Sequence, residues 1–205
     1  MSFLLHGSSA YSGMGWLDSI PGAPSLYIGG LYAVYQTALL TSANMTHVLS
    51  VIDYDTQIPE KFPHLQHLHI RIDDDPNEDL LKWFDQTSVF IEEGLQGKGG
   101  VFVHCAMGKS RSATMVVAYL MWKGEKDGKT VTWEQGLAQL CEGRPVCDPN
   151  PGFKEQLEVY GRMLAAGSQD ESHTIYEQWE KERFRGSPWE WEKRAMERQA
   201  DKARL

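Results

Sequence analysis

The chain has 205 residues, of which 41% are hydrophobic, 11% aromatic and 23% charged, enough length and apolar content to bury a sizeable core and too much to remain disordered. Its 20 basic residues against 28 acidic ones leave a formal net charge of −8, which disfavours any grip on nucleic acid by bulk electrostatics. No apolar run approaches the ~20 residues that span a bilayer, the start from Phe3 to Ser8 lacks the pattern of a signal peptide, and three cysteines are too few for a secreted disulfide framework; a cytoplasmic or nuclear protein, away from membranes, is the expectation.

Taken in chain order, Ser25 to Ile28 reads as a short strand closed by Gly29 and Gly30, and Leu31 to Leu40 has apolar spacing that suits a helix. His47 to Ile52 is a continuous apolar run of the kind buried on both faces of a parallel sheet. Leu65 to Ile72 alternates as a strand, and Leu80 to Leu95 carries a broad helical stripe ended by Gly99 and Gly100. Val101 to Val103 is a short buried strand, and Ser110 to Trp122, Thr132 to Leu140 and Phe153 to Leu164 read as helices. Strands alternating with helices predict an α/β domain, a mainly parallel central sheet flanked by helices.

A boundary is predicted near Ala165 to Ser168, separating a domain over residues 1–168 from a tail over 169–205. The tail holds 9 acids and 8 bases, so the remainder keeps 19 of the 28 acids and 12 of the 20 bases. Two tail helices are expected, Thr174 to Arg185 and Pro188 to Ala203, with Ser187 as an N-cap. Trp179, Phe184, Trp189 and Trp191 leave open whether the tail docks on its own domain or on a partner.

His104 to Ser112 lies between a buried strand and a helix start, where backbone amides and the helix dipole form an anion cradle. A cysteine at the base of such a cradle is a candidate nucleophile. Arg111, six residues after Cys105, can hold two oxygens of a phosphate with its planar fork. Gly108 lets the backbone bend close to the oxyanion, and Ser112 can donate a hydrogen bond to the sulfur. The backbone of Ala106, Met107, Gly108, Lys109 and Ser110 supplies the remaining substrate contacts, with His104 orienting the loop. His64, His67 and His69 fall on or beside one strand and are read as strand residues, with no metal or other cofactor expected. Cys141 and Cys147 are read as packing residues.

The string from His104 to Ser112 resembles the signature of the cysteine-dependent protein phosphatases, and its continuation through Met121 is similar to the dual-specificity branch. The resemblance runs from about Ser25 to Leu164 and includes Arg144, Pro145 and Asn150 to Phe153. Within the branch, Asn150 to Phe153 and Ile175 to Trp179 resemble a fungal phosphatase whose longer relatives carry a zinc-binding domain and assist ribosome maturation.

The resemblance implies a phosphoprotein substrate, attack by Cys105 to give a cysteinyl-phosphate, and a shallow cleft open to phosphotyrosine and to phosphoserine or phosphothreonine. It also implies a general acid on the loop before the long helix. That loop holds Asp73, Asp74, Asp75 and Asp79; counting back from the helix favours Asp74, with Asp73 expected to anchor the loop and Asp75 to be solvated. The alternative is a ribosome-assembly protein, bound to preribosomal particles, in which the phosphatase activity is dispensable.

Overall fold

Gly100–Cys105 is the central strand of the molecule because every one of its residues is buried and it has a parallel neighbour on each side, which requires an apolar run without alternation. The computed structural model describes residues 17–202 and residue 204; the amino-terminal segment read for a targeting signal, and Ala203 at the end of the last predicted helix, lie outside the described residues. The sheet has five strands, β1 (Leu17–Ile20), β2 (Ala23–Gly30), β3 (Met45–Val51), β4 (Gln66–Ile70) and β5 (Gly100–Cys105), in the order β1-β2-β5-β3-β4. All neighbouring pairs are parallel except β1 with β2.

Helices follow in chain order as α1 (Leu31–Val34), α2 (Thr37–Ser42), α3 (Ile58–Lys61), α4 (Phe84–Gln96), α5 (Arg111–Lys126), α6 (Trp133–Gly143), α7 (Pro151–Leu164), α8 (Gln169–Glu182) and α9 (Pro188–Lys202). One core packs Leu49, Val51, Val101 and Val103 of the sheet against Phe84, Ile91, Met115, Val116, Leu140, Phe153 and Leu157. On the other face Val48 and Phe102 meet Val34, Leu39, Leu40, Ile58 and Phe62. Alternate residues of β3 and β5 thus feed opposite cores, as the period of a strand demands. Helix α5 is buried along most of its length, so its start is fixed rigidly behind the end of β5.

Several elements differ from the sequence expectation. β1 and α3 are additional; four-residue elements carry too little periodicity to stand out. The predicted helix over Leu31 to Leu40 divides at Tyr35 and Gln36, where Gln36 adopts φ −93° and ψ 79° and restarts the chain as α2. Helix α8 begins five residues earlier than predicted because Ser168 accepts from the Glu171 amide and Asp170 and Glu171 occupy the first turn. The tail folds back on the molecule: Trp179 and Trp191 are buried, and Arg198 reaches Glu155 and Glu158 of α7. Trp189 is exposed.

Candidate active site

The strand β5 ends on Cys105 and α5 begins at Arg111, so the intervening loop is held between a fully buried strand and the buried start of a helix. Its carbonyls are each bonded to groups outside it: Ala106 O accepts from Leu31 N at 3.1 Å, Lys109 O from Asp148 N at 2.9 Å, and Ser110 O from Thr114 Oγ1 at 2.9 Å. Met107 O and Gly108 O accept from Arg144, at 2.9 and 2.8 Å. In a trans peptide the N–H points opposite to the preceding C=O. Turning five successive carbonyls outward therefore turns the amides of Met107 through Arg111 inward, and the Gly108 amide donates to Cys105 Sγ at 3.2 Å. Ser112 Oγ lies 3.3 Å from the same sulfur, and Cys105 is only 1% exposed.

Gly108 is required by two independent constraints. Its φ is +68°, and an added Cβ would lie 2.4 Å from the Gly29 backbone. Met107 and Lys109 project outward: Met107 is exposed, and Lys109 Nζ lies 4.0 Å from Asp148.

His104 is buried beneath the loop and burial pushes it down to about 3, so its ring is neutral. A carbonyl can only accept, so Nδ1 donates to Cys105 O (3.3 Å) and Nε2 must accept from Ser50 Oγ (2.7 Å). That uses the Ser50 proton, which makes His67 Nε2 the donor to Ser50 Oγ at 2.8 Å. A one-way relay of hydrogen bonds thus engages both ring nitrogens of His104 and fixes the end of β5. His67 and His69 stack at 5.6 Å, and His69 Nε2 donates to Ile52 O, so these rings are engaged in strand packing and hydrogen bonds.

Arg111 folds across the strand ends, with Nη1 donating to Ile72 O at 3.0 Å. Its Nε has no hydrogen-bond partner among the described residues and lies 3.9 Å from Asp74 Oδ2. Asp74 Oδ1 accepts from Ser110 Oγ at 2.6 Å and from Asn150 Nδ2 at 2.9 Å. Of the acidic residues on the predicted acid loop, Asp74 is the one in contact with the loop after β5. Asp73 is exposed and does not take the anchoring part expected of it. Asp75 does so instead, accepting from both the amide and the side-chain nitrogen of Asn77, and it is half-buried, not solvated.

Three supporting residues were not assigned roles from sequence. Arg144, 1% exposed, pairs with buried Asp18 of β1 while holding two carbonyls of the loop. Burial pushes the Asp18 carboxyl above its ordinary range, the hydrogen bond and charge of Arg144 pulling it back. Asn150 caps α7 through Phe153 N and turns its amide nitrogen to Asp74. A cap spends its side-chain oxygen and leaves the nitrogen free for a second task, a duality that residue type alone does not reveal. Ser50, a lone hydroxyl in the apolar run of β3, carried a readable signal. Cys147 and Cys141 are neutral thiols, both pushed up by burial; Cys147 donates to Gly108 O and Cys141 to Cys147 O.

Residues 26–163 match the family described as dual specificity phosphatase, catalytic domain. The chain belongs to the dual specificity phosphatase family. It is 39% identical over 142 residues to a probable dual specificity protein phosphatase of Dictyostelium discoideum, a match covering 69% of this chain but 34% of that protein. It is 32% identical to dual specificity protein phosphatase 22-B of Danio rerio, covering 81% of this chain and 82% of the relative. Among solved structures, the Yvh1 phosphatase domain from Chaetomium thermophilum superposes with a TM-score of 0.65 at 37% identity, covering 74% of this chain and 99% of that one. The family match ends before α8 and α9, which lie outside it.

Proposed function

We propose that the protein hydrolyses phosphate monoesters on proteins, phosphotyrosine as well as phosphoserine and phosphothreonine, through a cysteinyl-phosphate intermediate. The observation that carries this reading is the outward tethering of five consecutive carbonyls around Cys105, which leaves a ring of amides to stabilise the charge on a transferring phosphoryl group. Cys105 Sγ attacks phosphorus and the ester P–O bond breaks, with Arg111 and the amides holding the equatorial oxygens. Asp74 delivers its proton to the departing oxygen. In the second step Asp74 takes a proton from the attacking water, the S–P bond breaks, and the Ser112 hydroxyl stabilises the sulfur that leaves. Exposed Tyr32, Tyr54 and Met107 are apolar surface for the flanks of a peptide.

Turnover of p-nitrophenyl phosphate and of phosphotyrosine and phosphoserine peptides, compared with Cys105→Ser, tests the reading, together with intact-mass detection of a phosphorylated enzyme after acid quench. Equal turnover by the two proteins, or an adduct that survives Cys105→Ser, refutes it. The ribosome-assembly reading rests on Asn150 to Phe153 and Ile175 to Trp179, and residues of both segments are engaged within the chain. It gains support only if preribosomal particles co-sediment with the Cys105→Ser protein as well as with the wild type.

A further inference from the structure

The segment from Arg71 to Leu80 that carries Asp74 has neither helix nor strand. One side of it rests on α7. Gln156 Nε2 donates to Glu78 O, its Oε1 accepts from the Leu80 and Leu81 amides, and the Gly152 backbone lies so close to Pro76 that a Cβ there would meet Pro76 O at 2.0 Å. The other side is held by the tail. Asn77 Oδ1 accepts from Gly186 N at 2.9 Å and from Trp191 Nε1 at 3.0 Å, while Asn77 Nδ2 donates to Gly186 O at 2.8 Å and to Asp75 Oδ1 at 2.9 Å. The Asn77 carbonyl accepts from Arg183 Nη1, and its amide donates to Asp75 Oδ1. Every polar group of Asn77 is therefore spent joining the acid loop to itself, to the link between α8 and α9, and to α9 through Trp191.

The tail is itself well anchored, so it can serve as a reference frame. Arg183 stacks over Trp179 at 5.1 Å, Phe184 meets Trp191 edge-on at 4.9 Å, Arg194 and Arg198 reach Glu155, and Arg198 also pairs with Glu158. Tyr176 donates to Asp79 Oδ2 at 2.9 Å, a second tie to the same loop. An irregular loop with one such flank removed gains freedom in the segment three residues from Asp74, and proton transfer tolerates little misplacement.

We propose that the helical pair α8–α9 sets the position of the general acid, with Asn77 and Trp191 as positioning residues for proton transfer by Asp74. The inference rests on the assignment of Asp74 above. It gives the tail a part in catalysis although, among the described residues, no tail side chain is hydrogen-bonded or ion-paired to the loop around Cys105.

The test uses the full chain with Asn77→Ala and, as the milder change that keeps an aromatic ring against Phe184, Trp191→Phe. Expected for Asn77→Ala is a loss of about tenfold to a hundredfold in kcat/KM on a phosphoserine peptide, whose leaving group needs protonation, with a smaller loss for Trp191→Phe. On p-nitrophenyl phosphate, with its stable leaving anion, both variants should match the wild type, and inorganic phosphate should inhibit all three equally. Placed in an Asp74→Ala background, Asn77→Ala should cost nothing further, and hydrogen exchange of the amides from Asp73 to Leu80 should quicken. A loss equal on both substrates, a loss that persists without Asp74, or no loss on the peptide overturns the proposal while leaving the phosphatase reading intact. Wild-type turnover independent of Cys105 would instead remove that reading.

Discussion

Arg144 joins the stability of the molecule to the shape of the loop proposed to hold phosphate, and replacing it separates the two. Its guanidinium donates to Asp18 and to two loop carbonyls, with both charged side chains almost wholly out of solvent. Removing one partner of a buried ion pair costs about 3–5 kcal/mol because the other charge is left uncompensated. For a chain of this size each kcal/mol lowers Tm by about 2–4 °C, so Arg144→Met should lower it by about 6–20 °C. The second variant is Asp18→Asn combined with Arg144→Met, which removes the orphaned charge but not the loss at Met107 O and Gly108 O.

Thermal unfolding should therefore show most of the Tm recovered in the double variant. Turnover should not follow, because the carbonyls no longer have the donors that turn the amides toward Cys105; kcat/KM on a phosphotyrosine peptide should stay down by about a hundredfold. A fall of less than about 3 °C in the single variant would refute the energetic part of this reasoning. Recovery of activity together with stability in the double variant would show that Arg144 shapes nothing beyond its ion pair.

Asp74→Ala should lower kcat/KM on a phosphoserine peptide by about 10²–10⁴-fold and much less on p-nitrophenyl phosphate, whereas Asp73→Ala, altering an exposed side chain, should do neither; the reverse result moves the acid by one residue. Arg111→Lys should keep the charge yet lose the planar fork, so kcat/KM should drop by about a hundredfold or more, measured on either substrate, and near-normal turnover would remove Arg111 from the oxyanion site. Acid should destabilise the fold through the histidine relay. Burial pushes His104 to about 3 and His67 to about 4, both from 6.5, so the unfolded chain binds their protons first; stability from these rings is complete above pH 6.5 and is lost as pH falls toward 4. Tm measured from pH 7 to pH 4 should fall less steeply in His104→Asn, and parallel curves would count against the relay.

The elements that position Cys105, the proposed nucleophile, were legible because their residues share one environment. Gly100 to Cys105 is buried throughout and apolar except for His104, and the change from that run to the period of α5 marks the loop without any knowledge of the fold. Asp18 and Arg144 were not legible in the same way. They stand 126 residues apart in the chain, on a four-residue strand and just after a helix end, and each looks like an ordinary surface charge until the sheet brings β1 beside α6. Charge carries no periodicity, so only the tertiary structure pairs it.

The acid loop marks the boundary between these two cases. Asp73, Asp74 and Asp75 are chemically alike and adjacent, so composition does not rank them, and only the count back from the helix that the family resemblance supplies favours Asp74. What distinguishes them is the direction in which each side chain leaves an irregular backbone, and that direction is set by other side chains: by Asn150 and Ser110, outside the loop, at Asp74, and by Asn77, within the loop but tied to the tail, at Asp75. A regular element dictates side-chain direction through its own hydrogen bonds. A loop must borrow it from neighbours, so the residues that set Asp74, the proposed acid, apart from the aspartates beside it are the cap of α7, the first residue past the cradle's lysine, and an asparagine tied to the tail. A change at any of these three positions should alter the choice with the aspartates themselves untouched.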